Sequence, residues 1–199
     1  MKNKMPLPEI IREKNWGKLC FSYSPRQITQ RLYFRGVMKL AYELLYNTAR
    51  DDDIHNYGLR LLENIRKKYP QEWGESWEYD AFLGEAYRFN CFYDESFYAL
   101  KRALGNASSP TPSLLIRVAK CTSCPGPSPI PLPKAIQYLH RAIKEYLYSD
   151  ATNILSSLHD RLDETQYAAF WKNISYTVRS GKIEPPFMSE PIDDADFIT

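Results

Sequence analysis

The sequence predicts an all-α fold of stacked helical hairpins, and three observations carry that prediction. Apolar residues recur at helical spacing along most of the chain, as in Leu83 and Tyr87, or Leu100 and Ala103. Small residues (Gly58, Gly84, Ser96, Ala119, Ala135) stand inside those apolar stripes, where paired helices cross and a side chain would hold them apart. Start and stop signals punctuate the stripes, among them Ser24-Pro25, Asp51, Thr111-Pro112 and Gly181.

Taken in order, Pro8 opens a short helix through Leu19. Ser24 caps the next, with Pro25 at its first position and Gln27 at capping-box spacing. Apolar residues then run from Ile28 to Ala49, in one helix that bends at Gly36. Asp51, Asp52 and Asp53 end it and begin another. Carboxylates suit the positive end of a helix dipole and need no metal there. That helix places Gly58, Leu62 and Ile65 on one face and stops at Pro70. The stretch from Trp77 to Ser108 reads as one closed hairpin around which the chain is organised. Its first helix presents Leu83, Gly84 and Tyr87, and its second Ser96, Leu100 and Ala103. Thr111 caps a helix bearing Leu114, Leu115, Val118 and Ala119, whose partner carries Ala135, Leu139 and Ala142. The last pair shows Ile154, Leu155 and Leu158, then Tyr167, Trp171 and Ile174, with Asp163 and Gln166 at capping-box spacing.

The hairpin 77–108, and more loosely 39–72 and 112–148, resembles the tetratricopeptide repeat, a helix-turn-helix unit of about 34 residues. Setting Gly58 against Ser96 aligns Leu62 with Leu100 and Ile65 with Ala103, and sets Tyr46 opposite the bare Gly58. The chain departs from the family at Asp80, where an aromatic is frequent, and at Ser108, where proline is. Its small residues Gly58, Ser96 and Ala135 lie 38 and 39 residues apart. The resemblance implies a right-handed superhelix of about three to four hairpins over residues 25–181. It follows a basic N-terminal arm or short helix (1–24) and precedes an acidic C-terminal tail (182–199). The resemblance also implies a concave groove lined by Glu43, Asn47 and Arg50, by Glu85, Arg88 and Phe89, and by Arg117 and Lys120. One subgroup of the family grips the carboxylate at the end of chaperones. Here Glu43 replaces its lysine and would repel that ligand.

Formal net charge is only +2, which argues against a dedicated nucleic-acid binder. The charge is unevenly spread. Residues 1–30 carry six Lys/Arg against two Glu, and residues 182–199 one Lys against five Asp/Glu. Both ends read as solvated tails able to dock on a partner or on each other. No apolar run reaches the length of a membrane span, the N-terminus has no apolar signal core, and four cysteines without an export signal predict reduced thiols in a cytoplasmic protein.

Cys121-Thr122-Ser123-Cys124 ends a helix, away from the helix start where a thiolate is stabilised, and no further CxxC or close His pair completes a zinc site. The alternating prolines from Pro125 to Pro133 predict an extended connector. No nucleophile elbow, phosphate loop or metalloprotease motif is present, and His55, His140 and His159 read as surface or packing residues. The sequence therefore predicts a non-catalytic protein–protein interaction module, without cofactor or metal. It would act as an adaptor, a client-specific chaperone or an inhibitor that takes a protein or peptide segment, with homo-oligomerisation left open. The alternative is a nucleic-acid-associated role through the basic front, Lys14, Lys18, Arg26 and Arg31.

Overall fold

The computed structural model describes residues 6–48, 51–144, 146–178 and 192–198. Among these it contains twelve α-helices, two short 3-10 turns and no strand beyond one isolated antiparallel bridge, Leu32 to Phe197. No helix among the described residues is long and apolar enough to cross a membrane. The chain divides into two compact units, one of residues 1–92 with 187–199 and the other of residues 93–186. The division falls between Phe92 and Tyr93, inside the stretch 77–108, so the two helices predicted there belong to different units. Cys91, with φ of 62° in the left-handed region, lies just before that point.

The first unit opens with α1 (Leu7–Arg12) and α2 (Trp16–Ser22), where the sequence predicts one helix. Lys14, at φ 51°, turns the chain between them, and Asn15 caps the second through Lys18 N–H. Ser24 and Gln27 form the expected capping box of α3 (Pro25–Thr29). The long helix predicted from Ile28 to Ala49 does not occur, because the chain leaves helical geometry after Thr29. It resumes as α4 (Phe34–Tyr46). Residues 31–33 instead exchange backbone hydrogen bonds with the C-terminal segment, so their polar groups are satisfied without a helix.

Helix α4 is buried nearly all round, from Gly36 through Tyr42 and again at Leu44 and Leu45, which makes it the central rod of this unit. Asp51 caps α5 (Asp52–Lys68), accepting from the N–H groups of Asp53 and Ile54, as the acidic triplet predicts. Leu61, Leu62 and Ile65 of α5 are fully buried, and each such side chain contributes about 2 kcal/mol. Gly58 lets α5 approach α4, but its expected partner, Tyr46, is replaced by Leu44 and Leu45. A Cβ on Gly58 would lie 3.0 Å from Leu45 Cγ. Pro70 begins α6 (Pro70–Gly74) directly after α5. Ser76 then caps α7 (Trp77–Phe89). Asp80, out of place in the repeat pattern, accepts the indole N–H of buried Trp73 at 3.3 Å.

The second unit contains α8 (Tyr93–Asn106), α9 (Pro112–Lys120), α10 (Leu132–Ala142), α11 (Ser149–Asp160) and α12 (Thr165–Thr177). Thr111 caps α9 through Leu114 N–H. Its core gathers Leu115, Leu139, Leu155 and Leu158 with the small residues Ala119, Ala135, Ala142 and Ala151, so α9, α10 and α11 pack closely. The proline connector, which follows a 3-10 turn over Cys121–Ser123, is only partly extended: Gly126 takes φ of 102°, and Pro131 and Pro133 start α10. Trp171 is buried as expected, whereas Tyr167 is exposed. The predicted Asp163 cap is absent. Asp163 turns the chain at φ 59°, and Glu164 is the residue before α12, with no side-chain cap. Gly181, expected to stop the last helix, lies outside the described residues.

The acidic tail departs most from expectation. Its described part, residues 192–198, docks on the first unit beside α4 with Asp196 buried, while Asp193, Asp194 and Ala195 stay exposed.

Candidate protein-binding site

In the first unit the helical spacing of Tyr42 and Tyr46 on α4, and of Phe82, Glu85 and Phe89 on α7, sets aromatic rings face to face between the two helices. Tyr42 and Tyr46 stack at 5.1 Å, Tyr46 stacks on Phe82 at 5.8 Å, and Phe89 meets Tyr46 edge-on at 5.4 Å. Such ring pairs each add about 0.5–1.5 kcal/mol beyond the area they bury. Phe82 is fully buried, while Phe89 at the end of the ladder is only half-buried.

Arg88 is fixed beside it. Its guanidinium makes a two-point contact with Glu85, Nη2 to Oε2 at 2.8 Å and Nε to Oε1 at 3.3 Å, and lies 4.8 Å from the Phe89 ring centre. Glu85 is buried, so its carboxylate is the inner half of the pair. On α4, exposed Asn47 follows Tyr46 and donates to Glu43 Oε1 at 3.1 Å, and Glu43 also receives Lys14 Nζ at 3.1 Å. Thus Asn47, Glu85, Arg88 and Phe89 belong to the first unit, on α7 and at the end of α4. Arg50 lies outside the described residues. Arg117 and Lys120 belong to the second unit. Arg117 is buried, with its Nε donating to Ser113 Oγ at 3.2 Å, and Lys120 pairs with Asp150 at 3.1 Å.

Of the histidines read as surface or packing residues, two pack in the interior. His55 is buried against the Phe89 ring at 5.9 Å, and its Nε2 has no hydrogen-bond partner among the described residues. His159, also buried, shares a 2.5 Å hydrogen bond with Glu164 through Nδ1. The feature missed from the sequence is the seat of the C-terminal segment. Lys39 Nζ reaches Asp196 Oδ2 at 2.9 Å with both side chains buried, Tyr33 N–H donates to Asp196 O at 2.9 Å, and Ile198 N–H donates to Arg31 O at 2.8 Å. A lysine inside an apolar stripe was the available signal, because a buried ammonium calls for a carboxylate.

Cys121 and Cys124 follow the end of α9 and donate to the carbonyls of Arg117 and Lys120 at 3.6 and 3.9 Å. Among the described residues no group of three His, Cys, Asp or Glu side chains is placed to hold a metal. No protein-family profile, characterised protein or solved structure matches this chain.

Proposed function

We propose that this chain is a non-catalytic protein–protein interaction module whose first unit binds a protein segment on the face shared by α4 and α7. The tetratricopeptide-like superhelix, and a role as adaptor, client-specific chaperone or inhibitor, are parts of that proposal. The observation that supports it is the half-buried Phe89 with the Arg88 guanidinium held over its ring, at the end of the aromatic ladder. Arginine and aromatic side chains dominate binding energy when their rotamers are fixed in advance, because little conformational freedom is lost on contact.

The basic front offers less to a nucleic acid. Lys14 pairs with Glu43, and Asp193 and Asp194 line the same recess as Arg12 and Lys14.

A photo-crosslinking residue in place of Asn47, in the native cells, tests the reading. It should capture a protein partner, identified by mass spectrometry, that the same probe at exposed Lys101 does not. The purified partner should then bind the Arg88→Gln, Phe89→Leu variant at least tenfold more weakly. These changes are milder than Arg88→Glu, which would set a second carboxylate against buried Glu85. Equal capture at both positions would contradict the proposal.

A further inference from the structure

The seat of residues 192–198 has the parts of a peptide-binding site, and its backbone, charge and clearance come from residues 31–39. The backbone of 31–33 pairs with the segment on both sides of the Leu32–Phe197 bridge, where the chain leaves a 3-10 turn over Asp194–Asp196, a recognition that reads backbone rather than side chains. Lys39 supplies the selective element. Its side chain is 4% exposed and pairs with Asp196, whose Oδ2 also accepts Asp193 N–H at 3.0 Å. Gly36 supplies the clearance. A Cβ there would lie 2.7 Å from Asp196 Cβ and 2.9 Å from its carbonyl oxygen, so only glycine admits the segment this closely.

The occupant does not fill the site. A recess of about 220 Å³ lies between the segment itself, at Ile192 and Phe197, and Pro8, Ile11 and Trp16, and charged side chains from both sides share its lining. An apolar side chain seated there would gain burial that the chain's own segment leaves unused.

We propose that this seat is a second interaction surface of the first unit. It takes in trans a segment of a partner protein with an aspartate that closes a short 3-10 turn and is followed by an extended aromatic residue, as Asp196 and Phe197 do here, and the chain's own residues 192–198 are its displaceable occupant. The aspartate reaches Lys39, the backbone pairs with 31–33, and a larger apolar group occupies the recess. The tethered segment competes at high effective concentration, so only a partner that uses the recess displaces it. This surface meets the α4–α7 face at Glu43, which lines the recess and accepts from Asn47, but Lys39 and the Arg88–Phe89 pair are separate, so variants of each tell the two proposals apart.

The probe is a fluorescent peptide with the sequence of residues 192–198, titrated into the full chain. The Asp196→Ala, Phe197→Ala variant, which frees the seat, should bind it saturably, and the wild-type chain at least tenfold more weakly. Adding Lys39→Met to that variant, or replacing the peptide's last aspartate (the counterpart of Asp196) by asparagine, should abolish binding. If the freed variant has lost helical circular dichroism, excess peptide should restore it, and Phe197→Ala alone should bind with intermediate affinity. Absence of both saturable binding and restoration would overturn the proposal. So would equal affinity for the asparagine peptide, or a wild-type dimer in light scattering that Asp196→Ala dissolves, which would make a second copy the partner.

Discussion

Lys39 and Asp196 stand 157 positions apart in sequence, yet their Nζ and Oδ2 atoms meet at 2.9 Å with both side chains buried. Removing one partner from such a pair costs about 3–5 kcal/mol, whereas replacing both by apolar groups is often close to neutral. Asp196→Ala and Lys39→Met should therefore each lower stability by about 3 kcal/mol, and Lys39→Met with Asp196→Leu should cost far less than their sum. Urea denaturation of the four proteins completes the cycle. Strictly additive losses would mean that the two side chains do not act on each other.

Three glycines give a graded test of packing. Gly36→Ala drives a methyl into the backbone of Asp196 and should cost about 2 kcal/mol, with faster hydrogen exchange at Tyr33 and Ile198. Gly58→Ala meets only the Leu45 and Leu44 side chains, which can give by a few tenths of an ångström, and should cost less. Gly17 lies in α2 with nothing within 4 Å of an added Cβ, so Gly17→Ala should be neutral or stabilising by up to about 1 kcal/mol. The reverse order in thermal melts would contradict the docking of the tail against α4.

His140 of the second unit packs edge-on to Trp171 at 5.6 Å. Burial first, and then the nearby His159, hold its imidazole below the ordinary value of 6.5. His159 in turn is hydrogen-bonded to Glu164. Between the ordinary and the lowered value the unfolded chain binds a proton at this position that the folded chain refuses. Stability therefore falls as pH drops through that window. The melting temperature of His140→Gln should fall less between pH 7.5 and pH 5.5 than that of the wild type. Identical losses would assign the acid sensitivity to other groups.

The cysteines should react in an order set by access and by thiolate fraction. Cys91 is exposed, Cys124 half-exposed and Cys121 buried. Burial, followed by the charge of Asp51, pushes the Cys20 thiol up to about 11. Iodoacetamide at pH 8 should modify Cys91 first and leave Cys20 and Cys121 to last, as read by peptide mass spectrometry. Cys20 reacting as fast as Cys91 would contradict this packing.

What could be read from the sequence was local. Ser24 with Gln27, Asp51 and Thr111 cap helices where expected, because a cap depends on residues only two or three positions away. The helical stripes of α5, α9 and α11 were legible for the same reason. The break at residues 30–33 was not, since Leu32 and Tyr33 suit a helix and the bonds that hold them out of one come from Asp196 and Ile198. Gly36 looked like a bend for want of the segment it accommodates. The opposite charges of the two chain ends were visible, but one buried aspartate among five acidic residues decides whether the tail docks. The partner of Gly58 was displaced from Tyr46 to Leu44 and Leu45, a difference of rotation about α4 that a repeat alignment does not resolve. At the proposed site, Arg88 and Phe89 were legible as neighbours, whereas the clamp by Glu85 and the ring ladder beneath required the fold.

Peptides selected by display against the immobilised full chain, with their Kd values then measured on wild type and on Arg88→Gln, Phe89→Leu, test the α4–α7 face most directly. The account predicts saturable binding that weakens at least tenfold in the variant and is unchanged by Lys101→Ala. Peptides that bind wild type and variant equally, or a selection that yields no binder, would contradict it.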